Sequence, residues 1–410
     1  MLKIVLKMTA YFLCLIALGT CIDPYNPHLG KYNSLLVMEG MITDEKIPSE
    51  VTLSRTFQSI DSVPVKVSDA VVYITDEDGN TATLNYSGNG KYKTDSALFH
   101  GTPGKTYTLH IQTSDGNKYE SEPCVMTPVT GIDSVYYAKD EVVNSTLNTT
   151  VTGIGVYLDS DEEIGGNTYF RWEYEEIWKF QVPSQKKYNY INDRVIIPLT
   201  NVSEYCWKSN KSGGILIGSV LPGLTDSIKK MPVTFIQPDQ SDRLTIQYSI
   251  LVRQMSVTKK EFDFWSNLKQ VNEIRGSIYD TQPYSVISNI YNVDNPDERV
   301  LGYFSVSAVK EKRIYILPKD IYGMGLPQFN YDCQEYERSP SDYMPNPATG
   351  KAFTFDEIYD MFMAAGGLIF VRPIYTGQNQ LYKLVFVPVQ CSDCSLTGSV
   401  SKPDFWTDLP

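Results

Sequence analysis

The chain has 410 residues, which suggests two domains, and a formal net charge of −12 from 36 basic and 48 acidic side chains. That balance makes it a poor electrostatic partner for nucleic acid or for an anionic lipid surface. Tyr (29) outnumbers Phe (16), Gly and Pro are common, and long helical patterns are rare, so the chain reads as mainly β.

The chain opens on MLKIVLKMTAYFLCLIALGTC. Lys3 and Lys7 form a short positive region, an apolar run continues to Leu18, and small residues follow. This is the pattern of a signal peptide over residues 1–20. As a helix the apolar core spans roughly 14 Å, too short for a hydrocarbon layer of about 30 Å. Leu18-Gly19-Thr20-Cys21 resembles a bacterial lipobox, in which Cys21 becomes the lipidated first residue. A polar, Pro-bearing tether (residues 21–34) follows, so membrane association is expected through the lipid anchor. Removing residues 1–20 takes away two lysines and no acid, leaving the mature chain more acidic still.

Residues 35–127 read as a compact immunoglobulin-like or fibronectin-like β-sandwich. Val51-Thr-Leu-Ser-Arg-Thr-Phe alternates apolar and polar residues, and Asp78-Gly79 and Asp115-Gly116 separate further alternating runs. Asp-Gly at such a place marks a hairpin, because Gly supplies positive φ. The linker near Met126 leads into a larger β-rich domain over residues 128–410. There the run from Tyr169 to Phe180 places Phe170, Trp172, Tyr174, Trp178 and Phe180 on one face, with Glu176 breaking the row. Trp172, Tyr174 and Trp178 are candidate ligand contacts; the alternative is that the row is core.

Two short helices interrupt the β pattern. Thr258-Lys-Lys-Glu261 and Thr354-Phe-Asp-Glu357 are capping boxes. The first helix is expected to place Phe262, Trp265 and Leu268 on one stripe, and the second to end at Gly366-Gly367.

Near the end stand Cys391 and Cys394. A zinc site usually shows two Cys or Cys/His knuckles, and only one CxxC is present. A redox CxxC should open a helix, whereas this one follows a strand-like run. In an oxidising envelope the expected role of Cys206, Cys333, Cys391 and Cys394 is a pair of disulfides, for which three pairings are open. Cys124 is the odd thiol, expected near the domain junction.

Catalytic signals are sparse. The three histidines (His28, His100, His110) all precede the larger domain, and no GxSxG, HExxH or phosphate-binding glycine loop occurs. Asp159-Ser-Asp161-Glu-Glu163 resembles the start of a calcium loop, but Ile164 stands where that loop needs Gly and Phe170 where it needs Glu. No metal or cofactor is expected, and no catalytic residue can be named. Paired carboxylates, as in glycoside hydrolases, stay open as an alternative without a nominated pair.

Several stretches together are similar to one family. They are the Cys-Ile-Asp-Pro start at Cys21, Val37-Met-Glu-Gly-Met-Ile-Thr-Asp, and the strand around Ser249 leading to Phe264-Trp265. Asn295-Pro296 through Val300-Leu-Gly-Tyr-Phe304, Lys312-Arg313-Ile, and the ending Cys391-x-Asp-Cys394 … Lys402-Pro403-x-Phe405-Trp406 continue them. The chain resembles the Bacteroidetes outer-membrane lipoproteins catalogued as domain of unknown function 4249. The resemblance implies a lipid-anchored outer-membrane protein, on either membrane face, that serves a TonB-dependent nutrient transporter as a non-catalytic accessory or ligand-binding component. It carries over no catalytic residue, and it implies a structural role for the aromatic tail. The alternatives are a surface glycan-degrading enzyme and a structural or adhesive surface protein.

Overall fold

The computed structural model describes residues 34–56, 63–95, 99–144, 148–161, 168–193, 195–200, 202–220, 227–273 and 286–410. The expected signal peptide, Cys21 and nearly all of the expected tether lie outside the described residues. Among these residues no helix is long and apolar enough to cross a membrane. The chain is mainly β, as its composition and alternation predict, with three α-helical segments.

In the N-terminal unit alternation translates directly into burial. Leu36, Met38 and Ile42 of the strand Leu36–Thr43 are buried, as are Val51 and Leu53 of the strand Glu50–Arg55. The strand Thr81–Gly88 folds the sheet over on itself. Its first half pairs with Val71–Asp76 (Val72 opposite Leu84), and its second half pairs with Lys91–Lys93 (Asn85 opposite Lys93). Gly79 (φ +84°) and Gly116 (φ +90°) make the two expected turns. The two halves enclose one core around Leu53, Ile74, Leu109 and Phe304.

That core shows where the 35–127 boundary falls short. Strand Leu301–Ser307 runs parallel to Leu36–Thr43, from Val37 opposite Leu301 to Thr43 opposite Ser307. At the far edge, Ile290–Asn292 pairs with Lys118–Ser121. Residues 290–307 therefore complete the N-terminal sheet, although they follow most of the second unit in sequence. Local alternation marks hairpins but carries no signal for a parallel partner so distant. Gly302 makes the approach feasible: its φ is +101°, and a Cβ there would lie 1.6 Å from the Met38 carbonyl oxygen.

The central unit is two facing sheets. Strands Ser134–Asn144, Thr149–Asp161 and Ser227–Ile236 form one. In the other, Tyr169–Phe180 is flanked by Gln247–Ser256 and then Val309–Ile316 on one side, and by Cys206–Lys211 and Leu216–Ser219 on the other. The facing edges approach one another, giving a flattened barrel filled by Ile154, Leu158, Phe170, Phe180, Ile250 and Val252.

A third sheet (Tyr336–Arg338, Leu381–Pro388, Leu368–Tyr375) is covered by the helix Phe355–Ala364 and by the hairpin Tyr188–Asn192/Val195–Pro198. Both halves of the expected capping box form at Thr354 and Glu357, and Gly366 and Gly367 follow the helix at positive φ. Two disulfides form here: Cys206–Cys394 ties the C-terminal segment to the barrel, and Cys333–Cys391 closes within the third layer. They close separations of 188 and 58 residues. In the chain-entropy model such loops correspond to about 5 and about 4 kcal/mol. The tail then crosses the barrel sheet. Trp406 packs edge-on against Trp207 and Tyr315, and the Arg313 guanidinium lies 3.6 Å from the centre of the Phe405 ring.

The helix Lys259–Glu273 departs from its expected geometry. Thr258 Oγ1 accepts from the Glu261 backbone, as a cap should. The Glu261 side chain, however, turns into the seam between the two units, where Trp265 Nε1 donates to it at 3.2 Å and Ser305 also bonds it. Phe262, Trp265 and Leu268 of the expected stripe are half-buried, Phe262 against Tyr169, while Phe264 is buried against Tyr303. Cys124 sits at the same seam, with Asn289 Nδ2 3.3 Å from its sulfur; burial pushes this thiol up to about 12.

Burial likewise pushes the Glu261 carboxyl from 4.5 up to about 7. Between those values the folded state holds a proton that the unfolded chain releases, so raising the pH across this window removes stability. The full effect is about 3 kcal/mol. Urea unfolding at pH 4.5 and at pH 8 should show this contribution lost at the higher pH, and Glu261→Gln should abolish that component. An unchanged pH profile in the variant would contradict the assignment.

Candidate functional site

The Tyr169–Phe180 strand sends its even-numbered side chains into the barrel, so Glu176 enters with the aromatics. It is 1% exposed. An isolated carboxylate there would be strongly unfavourable, and the surrounding chain supplies donors to every side of it. Tyr248 Oη donates to Oε1 at 2.7 Å, Asn210 Nδ2 donates to Oε2 at 2.7 Å, and Arg243 Nη2 lies 3.4 Å from Oε2. Burial, followed by the Glu176 charge, raises the Tyr248 hydroxyl well above the ordinary tyrosine range.

A second buried carboxylate stands beside this one. Ser241 caps the short turn Asp242–Leu244 by accepting from Arg243 N, which fixes where Asp242 and Arg243 start. Asp242 Oδ1 accepts from Trp178 Nε1 at 2.8 Å. Its Oδ2 accepts from Lys208 Nζ at 2.7 Å and Tyr331 Oη at 3.1 Å. The two cations also lie over aromatic faces, Lys208 over Phe180 and Arg243 over Trp178. This pairing commits both carboxylates to structural donors. Each lacks the open face that a general acid or base needs.

The structure corrects the candidate ligand contacts. Trp172 and Trp178 are 1% and 7% exposed, inside the barrel core. Their indole N–H groups are taken up by Gln254 and Asp242. Tyr174 is half-buried and packs on the same core. The row is core because its even-numbered positions point into the barrel, where Phe170, Trp172, Trp178 and Phe180 are buried. The break at Glu176 was the visible signal of the buried charge; Lys208, Asp242 and Arg243 carry none in sequence.

An open cavity adjoins the network. About 650 Å³ in volume, it lies between the turns at residues 238–245 and the segment 318–329. Leu244, Ile321, Leu326 and Phe329 give it an apolar wall, and Pro238, Pro318 and Pro327 stiffen it. Ser241, Thr245 and Gln328 supply neutral hydrogen-bonding groups, and Tyr322, 91% exposed, stands at the rim. Asp242 and Arg243 do not line the cavity; they hold the turn from which Ser241 and Leu244 do. Tyr322 is the one titratable side chain in the lining. Such a site can bury an apolar molecule and orient it through a few polar contacts.

Among the described residues no group of three or more His, Cys, Asp or Glu side chains could hold a metal ion. Of the calcium-loop-like stretch, Asp159 accepts from Lys230 N and Tyr136 Oη, while Glu162 and Glu163 lie outside the described residues.

Removing one member of the buried network should expose its cost. Arg243→Met leaves Glu176 underpaired and should lower stability by about 3 kcal/mol. The double variant Glu176→Met/Arg243→Met should recover most of that loss. Urea denaturation of the single and double variants measures the coupling; strictly additive losses would contradict it.

No curated protein matches the chain at a significant level. Residues 22–313 match a protein family, a span that covers the N-terminal sheet and all of the barrel up to the middle of its strand Val309–Ile316. The Cys391–Trp406 ending, part of the expected signature, lies beyond the matched residues. The chain belongs to the family described as Domain of unknown function (DUF4249).

Proposed function

We propose that the protein is a lipid-anchored outer-membrane component that binds a ligand without transforming it and serves a TonB-dependent nutrient transporter. The observation that carries the binding role is the barrel-end cavity, large enough for a small molecule and lined without an acid–base pair. The neighbouring carboxylates, which would be the natural catalytic pair, are both filled by structural donors. The ligand class that suits the lining is a neutral, mainly apolar molecule. Its polar groups would meet Ser241, Thr245 and Gln328.

The anchor rests on Leu18-Gly19-Thr20-Cys21 and the tether after it. Two or more acyl chains on Cys21 would hold the protein stably at a bilayer surface. The outer membrane and the transporter partner follow from the resemblance to Bacteroidetes lipoproteins. In this reading the barrel presents a ligand to the transporter.

The test is a mild-detergent pull-down of the tagged protein from its native membrane, with mass spectrometry of what accompanies it. A stoichiometric TonB-dependent transporter is the expected result. Recovery of the protein alone, or of a Cys21→Ala form equally membrane-bound, would overturn the reading.

A further inference from the structure

A second cavity lies on the N-terminal sheet, remote in sequence from the barrel-end cavity, and its chemistry differs. It also measures about 650 Å³. Its wall is the outward face of the strand Thr81–Gly88, where Thr81, Thr83 and Asn85 project at alternate positions. All three are exposed, and among the described residues their side chains have no hydrogen-bond partner. His100 lines the same space. Its Nδ1 lies 3.2 Å from the Gly101 carbonyl, which can only accept. In the neutral ring that leaves Nε2 as an open acceptor.

Three charged side chains, Asp76, Asp95 and Lys105, line the cavity, and Asp76 and Lys105 are paired. Lys105 Nζ lies 2.6 Å from Asp78 and 3.4 Å from Asp76. Asp76 also accepts from the Asn80 backbone and side chain. The lining therefore offers hydroxyls, an amide, an imidazole acceptor and the Asp95 carboxylate, and among the described lining residues the one cation, Lys105, is already paired. Phe99 adds one aromatic wall.

We infer that this cavity binds a neutral carbohydrate. A sugar presents a ring of hydroxyls, each both donor and acceptor, and the free Thr and Asn groups have the same dual character. The positive C–H face of a sugar ring suits the negative face of Phe99. An anionic polymer is disfavoured by the net charge of −12 and by the neutralised lysine.

The site stands apart from the transporter reading, and its test is separate. The purified full-length protein is screened on an array of neutral and acidic glycans, and hits are titrated by calorimetry. Capture of a neutral oligosaccharide is expected. Thr83→Ala/Asn85→Ala should weaken it at least about tenfold, since two contacts are lost. Both positions are exposed, so the variant should melt like the wild type. Gln328→Trp, which fills the barrel-end cavity, should leave the affinity unchanged. Three results would overturn the inference: no neutral glycan is captured, binding is indifferent to the double variant, or Gln328→Trp abolishes it.

Discussion

The placement of Glu176 inside the barrel governs how that end of the molecule is built. A bare carboxylate in such a core would be prohibitive, so the interior must bring donors to it. They come from three other segments: Tyr248 from the neighbouring strand, Asn210 from the opposite edge, and Arg243 from the capped turn. Arg243 brings Asp242 with it, and Asp242 in turn gathers Trp178, Lys208 and Tyr331. One buried charge thus fixes the turn at residues 242–244 and anchors the segment ending at Tyr331. Those two pieces are the walls of the apolar cavity. The network stands behind the site as its frame, and its charge is spent on structure.

The molecule's other ties are long-range. A parallel strand from residues 301–307 joins the N-terminal sheet directly to the chain entering the barrel. Glu261, buried, and Cys124, half-buried, sit at that seam, and loss of water raises the proton affinity of both. The Cys206–Cys394 disulfide ties the C-terminal segment to the barrel edge, while Cys333–Cys391 closes within the C-terminal layer. Neighbouring cysteines 391 and 394 reach different partners, so the short CxxC spacing works as a branch point between two layers.

Legibility in the sequence followed the range of the interaction. Strands such as Glu50–Arg55 were readable because period-two alternation is local, and so were the Asp-Gly turns. The Thr354 cap was readable for the same reason. The parallel partner at 301–307 was not, since its pairing depends on a chain segment 264 positions away (Val37 to Leu301). The helix after Thr258 was found, but the Glu261 half of its capping box was not, because Trp265 and Ser305 take up that side chain. The break at Glu176 was visible, while the cations that justify it lie on separate strands and turns. The cavity is assembled from two turns distant in sequence, and it left no motif.

The central claim is that the barrel-end cavity, framed by this network, holds a neutral apolar ligand and does not turn it over. The most direct measurement is native mass spectrometry of protein taken from its own membrane, comparing wild type with Gln328→Trp. The account predicts an unmodified small molecule retained by the wild type and lost from the variant. An empty wild-type protein, or the same adduct on both, would contradict it.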